Sequence, residues 1–214
     1  ADVFTQGVVG GQQAVVGVQA GVAGMVALAA KAQFPGVALV RFVRAAPCFG
    51  CDHDVFSAQG GEPRRLMQSS GIDTEPCFSS DGRTIYFVSD RGGAPQVYKV
   101  SSSGGSAERV TFSGTYNISP AISPDGKWLA YVSRVGGGFK LQVMDLATGT
   151  VNSVTDTTAD ESPSFAPNSR LIVYATIQGG REALMTTTLD GKIKARLAGA
   201  SGDIREPDWG PFQK

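Results

Sequence analysis

The chemistry-bearing residues nearest one another are Cys48, Cys51, Asp52 and the single histidine, His53. Two cysteines at that spacing with a histidine close behind resemble a haem or metal signature. Haem attachment, however, requires the histidine directly after the second cysteine, where Asp52 stands. A closed zinc site requires a fourth ligand, which the run does not offer. The remaining cysteine, Cys77, makes the count three, and an odd, scattered set is no disulfide framework. A serine hydrolase finds neither its nucleophile turn nor its base here: there is no Gly-x-Ser-x-Gly turn, and the one histidine lies outside the repeats described below. Asp160 and Glu161 have the chemistry of general acids or bases, but nothing in the sequence pairs them with a substrate pocket. No loop has the regular ligand spacing of a dedicated calcium site. The expectation is a non-enzymatic chain with no cofactor and no metal. With 19 basic and 19 acidic residues it has no net charge, so nothing calls for nucleic acid or an anionic membrane as partner.

The elements that position the remaining polar residues repeat. Thr74-Glu75-Pro76-Cys77-Phe78-Ser79-Ser80-Asp81-Gly82 returns as Ile118-Ser119-Pro120 through Asp125-Gly126, then as Glu161-Ser162-Pro163 through Asn168-Ser169, and finally as Glu206-Pro207-Asp208-Trp209. The prolines Pro76, Pro120, Pro163 and Pro207 are spaced 44, 43 and 44 residues apart. A period that steady denotes a repeat architecture.

Within the repeat 71–113 each piece reads as a short strand bounded by turn residues. Pro76 to Ser80 is a first strand, and Asp81-Gly82 a two-residue turn with positive φ. Arg83 to Ser89 is a second strand, apolar through Ile85, Tyr86, Phe87 and Val88, as expected where both sheet faces are covered. Gln96 to Val100 and Glu108 to Phe112 are the third and fourth. The second strand returns as Leu129 to Val132 and Ile172 to Ala175, the third as Leu141 to Met144 and Leu184 to Thr187. Ser89-Asp90-Arg91 is not repeated downstream and reads as a solvated turn. Four strands per ~43 residues is the profile of a β-propeller blade, and blades must stack because one alone cannot bury both faces. The predicted fold is therefore all-β, a partial propeller of about three and a half WD40-like blades. Its repeats are 71–113, 114–156 and 157–199, and a closing strand over 205–212 reads as a clasp or as a simple terminal strand.

Residues 1–55 differ. Between Val3 and Cys51 there is no Asp or Glu, and 29 of the 49 residues are Val, Ala or Gly; about five acidic residues would be usual. A signal peptide needs a basic start, yet the first cation is Lys31, after the apolar run. A membrane span from Ala14 to Ala30 is short and interrupted by Gln19 and glycines. The third reading is an out-of-frame or disordered segment ahead of repeats that begin at about residue 56. The chain does not begin with Met, which is read as the mark of a fragment.

Glu75-Pro76 through Ser89-Asp90-Arg91 and Pro95 through Val100 resemble a blade of the TolB family. So do Val143-Met144-Asp145-Leu146-Ala147-Thr148-Gly149, Ser162 through Asn168, and Asp190 through Leu197. The resemblance spans about residues 56–214 and implies a periplasmic, protein-binding propeller of the Tol-Pal system, whose channel mouth grips the lipoprotein Pal and which bacteriocins exploit. It implies roles in outer-membrane integrity and in constriction during division. The family's N-terminal α/β domain and its TolA-contacting segment have no counterpart in residues 1–55, which leaves TolA contact in doubt. The loops before each first strand are expected to line the mouth with Asp73, Thr74 and Glu75, with Tyr116 and Asn117, with Asp160 and Glu161, and with Arg205 and Glu206. For each residue the competing reading is that it merely solvates a turn or caps a strand. The alternative function is the gating propeller of a prolyl oligopeptidase-type serine peptidase.

Overall fold

The protein is described here from a computed structural model covering residues 27–29, 39–43, 51–56, 64–69, 71–197 and 206–209. Its strands form four antiparallel four-stranded sheets. The first contains β1 (Ala27–Ala29), β2 (Leu39–Val43), β3 (Cys51–Phe56) and β4 (Arg64–Ser69). The second contains β5 (Asp73–Phe78), β6 (Thr84–Ser89), β7 (Gln96–Ser101) and β8 (Glu108–Arg109). The third contains β9 (Asn117–Ile122), β10 (Trp128–Val135), β11 (Gly138–Asp145) and β12 (Val151–Ser153). The fourth contains β13 (Glu161–Phe165), β14 (Leu171–Gln178), β15 (Arg181–Thr188) and β16 (Lys194–Arg196). In each, strands pair in chain order, which is the topology of propeller blades. The sequence reading starts the repeats at about residue 56, whereas the backbone pairs three strands upstream of β4. The stretch Ala14–Ala30 lies outside the described residues except for β1. No helix among the described residues is long and apolar enough to cross a membrane.

Two compact units divide the chain, Ala1–Phe112 and Ser113–Lys214. In the first, Leu66 and Met67 of β4 pack with Ile85, Phe87, Tyr98 and Val100 of the second sheet. In the second, Ala130, Leu141, Val143 and Val154 meet Phe165, Ile172, Tyr174, Ala183 and Met185 of the next sheet. Blade faces therefore bury one another, and the second strands β6, β10 and β14 carry five consecutive buried residues each. That is why they read as near-continuous apolar runs.

Two turn devices set the registers. The Ser-x-Asp-Gly hairpin is longer than the predicted two-residue turn: Ser79 N donates to Thr84 O at 2.8 Å, leaving a four-residue loop. Only Gly82 has positive φ, at 69°. Asp81 lies in this loop without the positive φ of the predicted turn. Its Oδ1 instead accepts from Ser79 Oγ at 2.6 Å and Arg83 N at 3.0 Å, an Asx-type lock. Ser123 and Asp125 repeat it at 2.6 Å, and Thr188 and Asp190 build the same loop between β15 and β16. True two-residue turns occur at Gly136-Gly137 (φ 60° and 85°) and Gly179-Gly180 (φ 61° and 75°). With two positive φ values each they match the strand twist, so β10 and β11, and likewise β14 and β15, run to eight residues, beyond the predicted bounds.

Candidate functional site

The predicted loop residues lie mostly inside the first strands. Asp73, Thr74 and Glu75 belong to β5, Asn117 to β9 and Glu161 to β13; Tyr116 and Asp160 directly precede β9 and β13. Proline lacks an N–H and so reads as a strand's first residue. Here the strand instead passes through it by means of a bulge. Thr74 pairs with Val88 and Cys77 with Tyr86, so Glu75 and Pro76 together oppose Phe87. Ser119-Pro120 oppose Tyr131, and Ser162-Pro163 lie in the corresponding shift of β13.

The residue before each proline adopts a left-handed conformation: Glu75 at φ 51°, Ser119 at 52°, Ser162 at 50° and Glu206 at 47°. A side chain there meets its own carbonyl, and a following proline ordinarily drives its predecessor to extended backbone. Strain of about 1–3 kcal/mol at each such residue persists only where the surroundings impose it, and it concentrates at functional sites. The local effect is to separate neighbours. Pro76, Pro120 and Pro163 are buried, while Glu75, Ser119 and Ser162 remain partly exposed and Glu206 is exposed. A bulge thus re-aims one side chain per blade. The sequence reading included Glu75 and Glu206 but missed Ser119 and Ser162, whose signal was the proline period itself.

Three residues before Pro76, Pro120 and Pro163 the chain carries Asp73, Asn117 and Asp160, all buried. Asp160 accepts hydrogen bonds from Leu141 N at 3.0 Å, Thr176 Oγ1 at 2.7 Å, and the hydroxyls of Thr155 and Thr157. It joins the third and fourth sheets. Asn117 Nδ2 donates to Ser113 O at 2.8 Å. Asp73 forms a 2.7 Å ion pair with Arg91, whose guanidinium also donates to Ser69 Oγ at 3.1 Å and lies over the rings of Phe87 and Tyr98, at 5.2 and 5.1 Å from their centroids. This corrects the solvated-turn reading of Ser89-Asp90-Arg91. Arg91 is an internal clamp, and Asp90 Oδ1 accepts from Ile72 N at 2.7 Å. These three buried residues hold the strand entrances in place, whereas Thr74, Glu75, Tyr116, Glu161 and Glu206 keep some access to solvent.

Arg205 lies outside the described residues, as does half of 205–212. Residues 206–209 carry no strand, yet Asp208 Oδ1 accepts from Ser164 Oγ at 2.7 Å, beside β13. Within the second unit β13 also packs on β9, so successive first strands lie side by side. Of the Cys-x-x-Cys run, only the backbone of Cys51 to His53, in β3, is described. Burial raises the phenols of Tyr131 and Tyr174, which stand behind the bulges, to about 12; Asp160 adds to the effect at Tyr174. They are neutral packing groups at physiological pH.

A family profile described as TolB β-propeller domain matches residues 52–213. The chain is 55% identical over 161 residues to the Tol-Pal system protein TolB of Bordetella pertussis, covering 75% of this chain and 37% of that protein. It is 85% identical over 68 residues to TolB of Polaromonas sp. strain JS666, covering 32% and 16%. Among solved structures it resembles TolB from Acinetobacter baumannii, with TM-score 0.76 and 35% identity over 86% of this chain and 46% of that one. The chain therefore spans less than half the length of each of these three relatives.

Proposed function

Given that the chain belongs to the TolB β-propeller family, we propose that it is the protein-binding propeller portion of a periplasmic Tol-Pal component. Its partner is Pal, and its role is to support outer-membrane integrity and constriction during division. Bacteriocins exploiting this pathway would use the same contact. The observation that carries the reading is the left-handed residue before each proline. It recurs at Glu75, Ser119, Ser162 and Glu206, and at β5, β9 and β13 it turns one polar side chain away from a buried proline. Thr74 and Glu75, with Tyr116, Glu161, Arg205 and Glu206, contact the partner; Asp73, Asn117 and Asp160 act behind them by fixing the backbone. The function is binding rather than catalysis.

The test is calorimetric titration of the purified periplasmic domain of Pal into this chain and into Thr74→Ala and Glu75→Ala. Saturable binding weakened tenfold or more by either substitution supports the reading. Absence of binding by the folded wild-type chain, or identical affinity for all three proteins, overturns it.

A further inference from the structure

The blades differ in what they carry at the tip between second and third strands. Asp90, Arg134 and Ile177 occupy one equivalent position, as the spacings of 44 and 43 residues show. Asp90 is spent on its own blade's backbone at Ile72. Ile177 is apolar and 52% exposed. Arg134 is exposed and has no ion-pair partner among the described residues.

Around Arg134 the surface is aromatic and stiff. Its N–H donates to Tyr116 O at 3.0 Å, which fixes the tip to the strand entrance. Directly across the β10–β11 ladder stands Phe139, so the two side chains share a face. Phe139 meets the Tyr116 ring edge-on, with centroids 5.9 Å apart and planes at 69°. Both rings are partly exposed. Phe139 is held from behind, since its N–H donates to Thr158 O at 2.8 Å and its carbonyl accepts from Asp160 N at 3.1 Å. The adjoining Gly138 has no room for a Cβ, which would lie 2.6 to 3.1 Å from Thr158.

An unpaired guanidinium beside two anchored aromatic rings has the composition of a protein-binding hot spot: large contact area, little side-chain entropy to lose, and a fork of donors awaiting a planar acceptor. We propose that Arg134, with Phe139 and Tyr116, forms a specificity-determining extension of the Pal-binding site, and that it receives a carboxylate side chain flanked by an apolar residue on the partner. This rests on the Pal-binding reading and adds a charge contact to it. The preceding and following repeats of the sequence cannot make that contact, because one has Asp90 and the other Ile177 at that position.

The experiment is titration of the Pal periplasmic domain into wild type, Arg134→Glu, Arg134→Lys and Glu75→Ala at low and high salt, with far-ultraviolet dichroism and thermal unfolding as folding controls. Arg134 is exposed, so its variants fold. Arg134→Glu is expected to weaken binding at least tenfold at low salt and less at high salt, and Arg134→Lys to lose only part of the affinity. If Arg134→Glu binds within twofold of wild type while Glu75→Ala is weakened, the extension is refuted and the Pal reading stands. If wild type does not bind, both fall together. If Arg134→Glu is weakened but Glu75→Ala is not, the tip is upheld and the strand-entrance placement of the site is lost.

Discussion

Ser162→Gly should be more stable than Ser162→Ala, against the usual effect of glycine in a strand. Ser162 sits at φ 50° ahead of Pro163. A Cβ in that conformation costs about 1–2 kcal/mol, while glycine's extra freedom in the unfolded chain takes back about 0.5–1 kcal/mol. Comparing Ser162→Gly with Ser162→Ala cancels the loss of the hydroxyl, and leaves a net gain for glycine of about 0.5–1 kcal/mol. At about 2–4 °C per kcal/mol for a chain of this length, the midpoint should rise by about 1–4 °C. Ser164, two residues on and outside the left-handed positions, provides the opposing control. Both Ser164→Ala and Ser164→Gly lose the bond to Asp208, but there glycine should be the less stable of the pair. Differential scanning calorimetry of the four variants reads this directly. A glycine at 162 no more stable than alanine, or the same sign at both positions, would refute the assignment of strain to the residue before proline.

Arg91→Ala removes the ion-pair partner of the buried Asp73 carboxylate and should cost about 3–5 kcal/mol by urea unfolding; Arg91→Lys should recover only part, because an ammonium cannot lie flat over Phe87 and Tyr98. Asp160→Ala takes the shared acceptor from the hydroxyls of Thr155, Thr157 and Thr176 and leaves Leu141 N with Thr155 Oγ1 alone, and should cost more than about 2 kcal/mol, again read by urea unfolding. For Tyr131 and Tyr174 the folded state favours the neutral phenol. Their contribution is complete below the unfolded pKa of about 10 and is lost as pH rises through about 12. Tyrosinate absorbance should therefore show late titration coinciding with unfolding, and Tyr131→Phe should shift that unfolding to higher pH; titration of all five tyrosines near 10 with the fold intact would count against it.

The period and the blade architecture were legible because the prolines, the Asp-Gly pairs and the apolar second strands recur along the chain itself. The strand entrances were not. Pro76 reads as a beginning because it lacks a donor, and nothing local reveals that Glu75 reverses its φ to let β5 start at Asp73. The candidate residues could be named as a set from their place ahead of each repeated proline, but their division into buried and accessible members depends on partners far off in sequence. Asp73 meets Arg91 18 residues away and Asp160 meets Thr176 16 away. Three threonines converging on one carboxylate carry no motif, since each alone is an ordinary strand or loop residue. Gly82 and Gly126 are readable turn glycines; Ser169, at φ 58° in the equivalent place, is not, because its reason is a contact in the neighbouring blade.

That contact has a wider consequence. Ser169 Oγ accepts from Asp125 N at 3.0 Å, and Ser164 meets Asp208; each tie spans 44 residues, one period of the chain. Side-chain stitches of uniform span make stability a sum of blades and nearest-neighbour joints, and each joint closes a loop of the same length at the same entropic cost. Such an array can lengthen by whole repeats without a growing penalty. The joints themselves are not interchangeable, because a repeat moved along the chain would bring a glycine where its neighbour requires the Ser169 hydroxyl. Blade order is thereby written into single side chains, and duplicated repeats drift apart in sequence once each has fitted itself to the next.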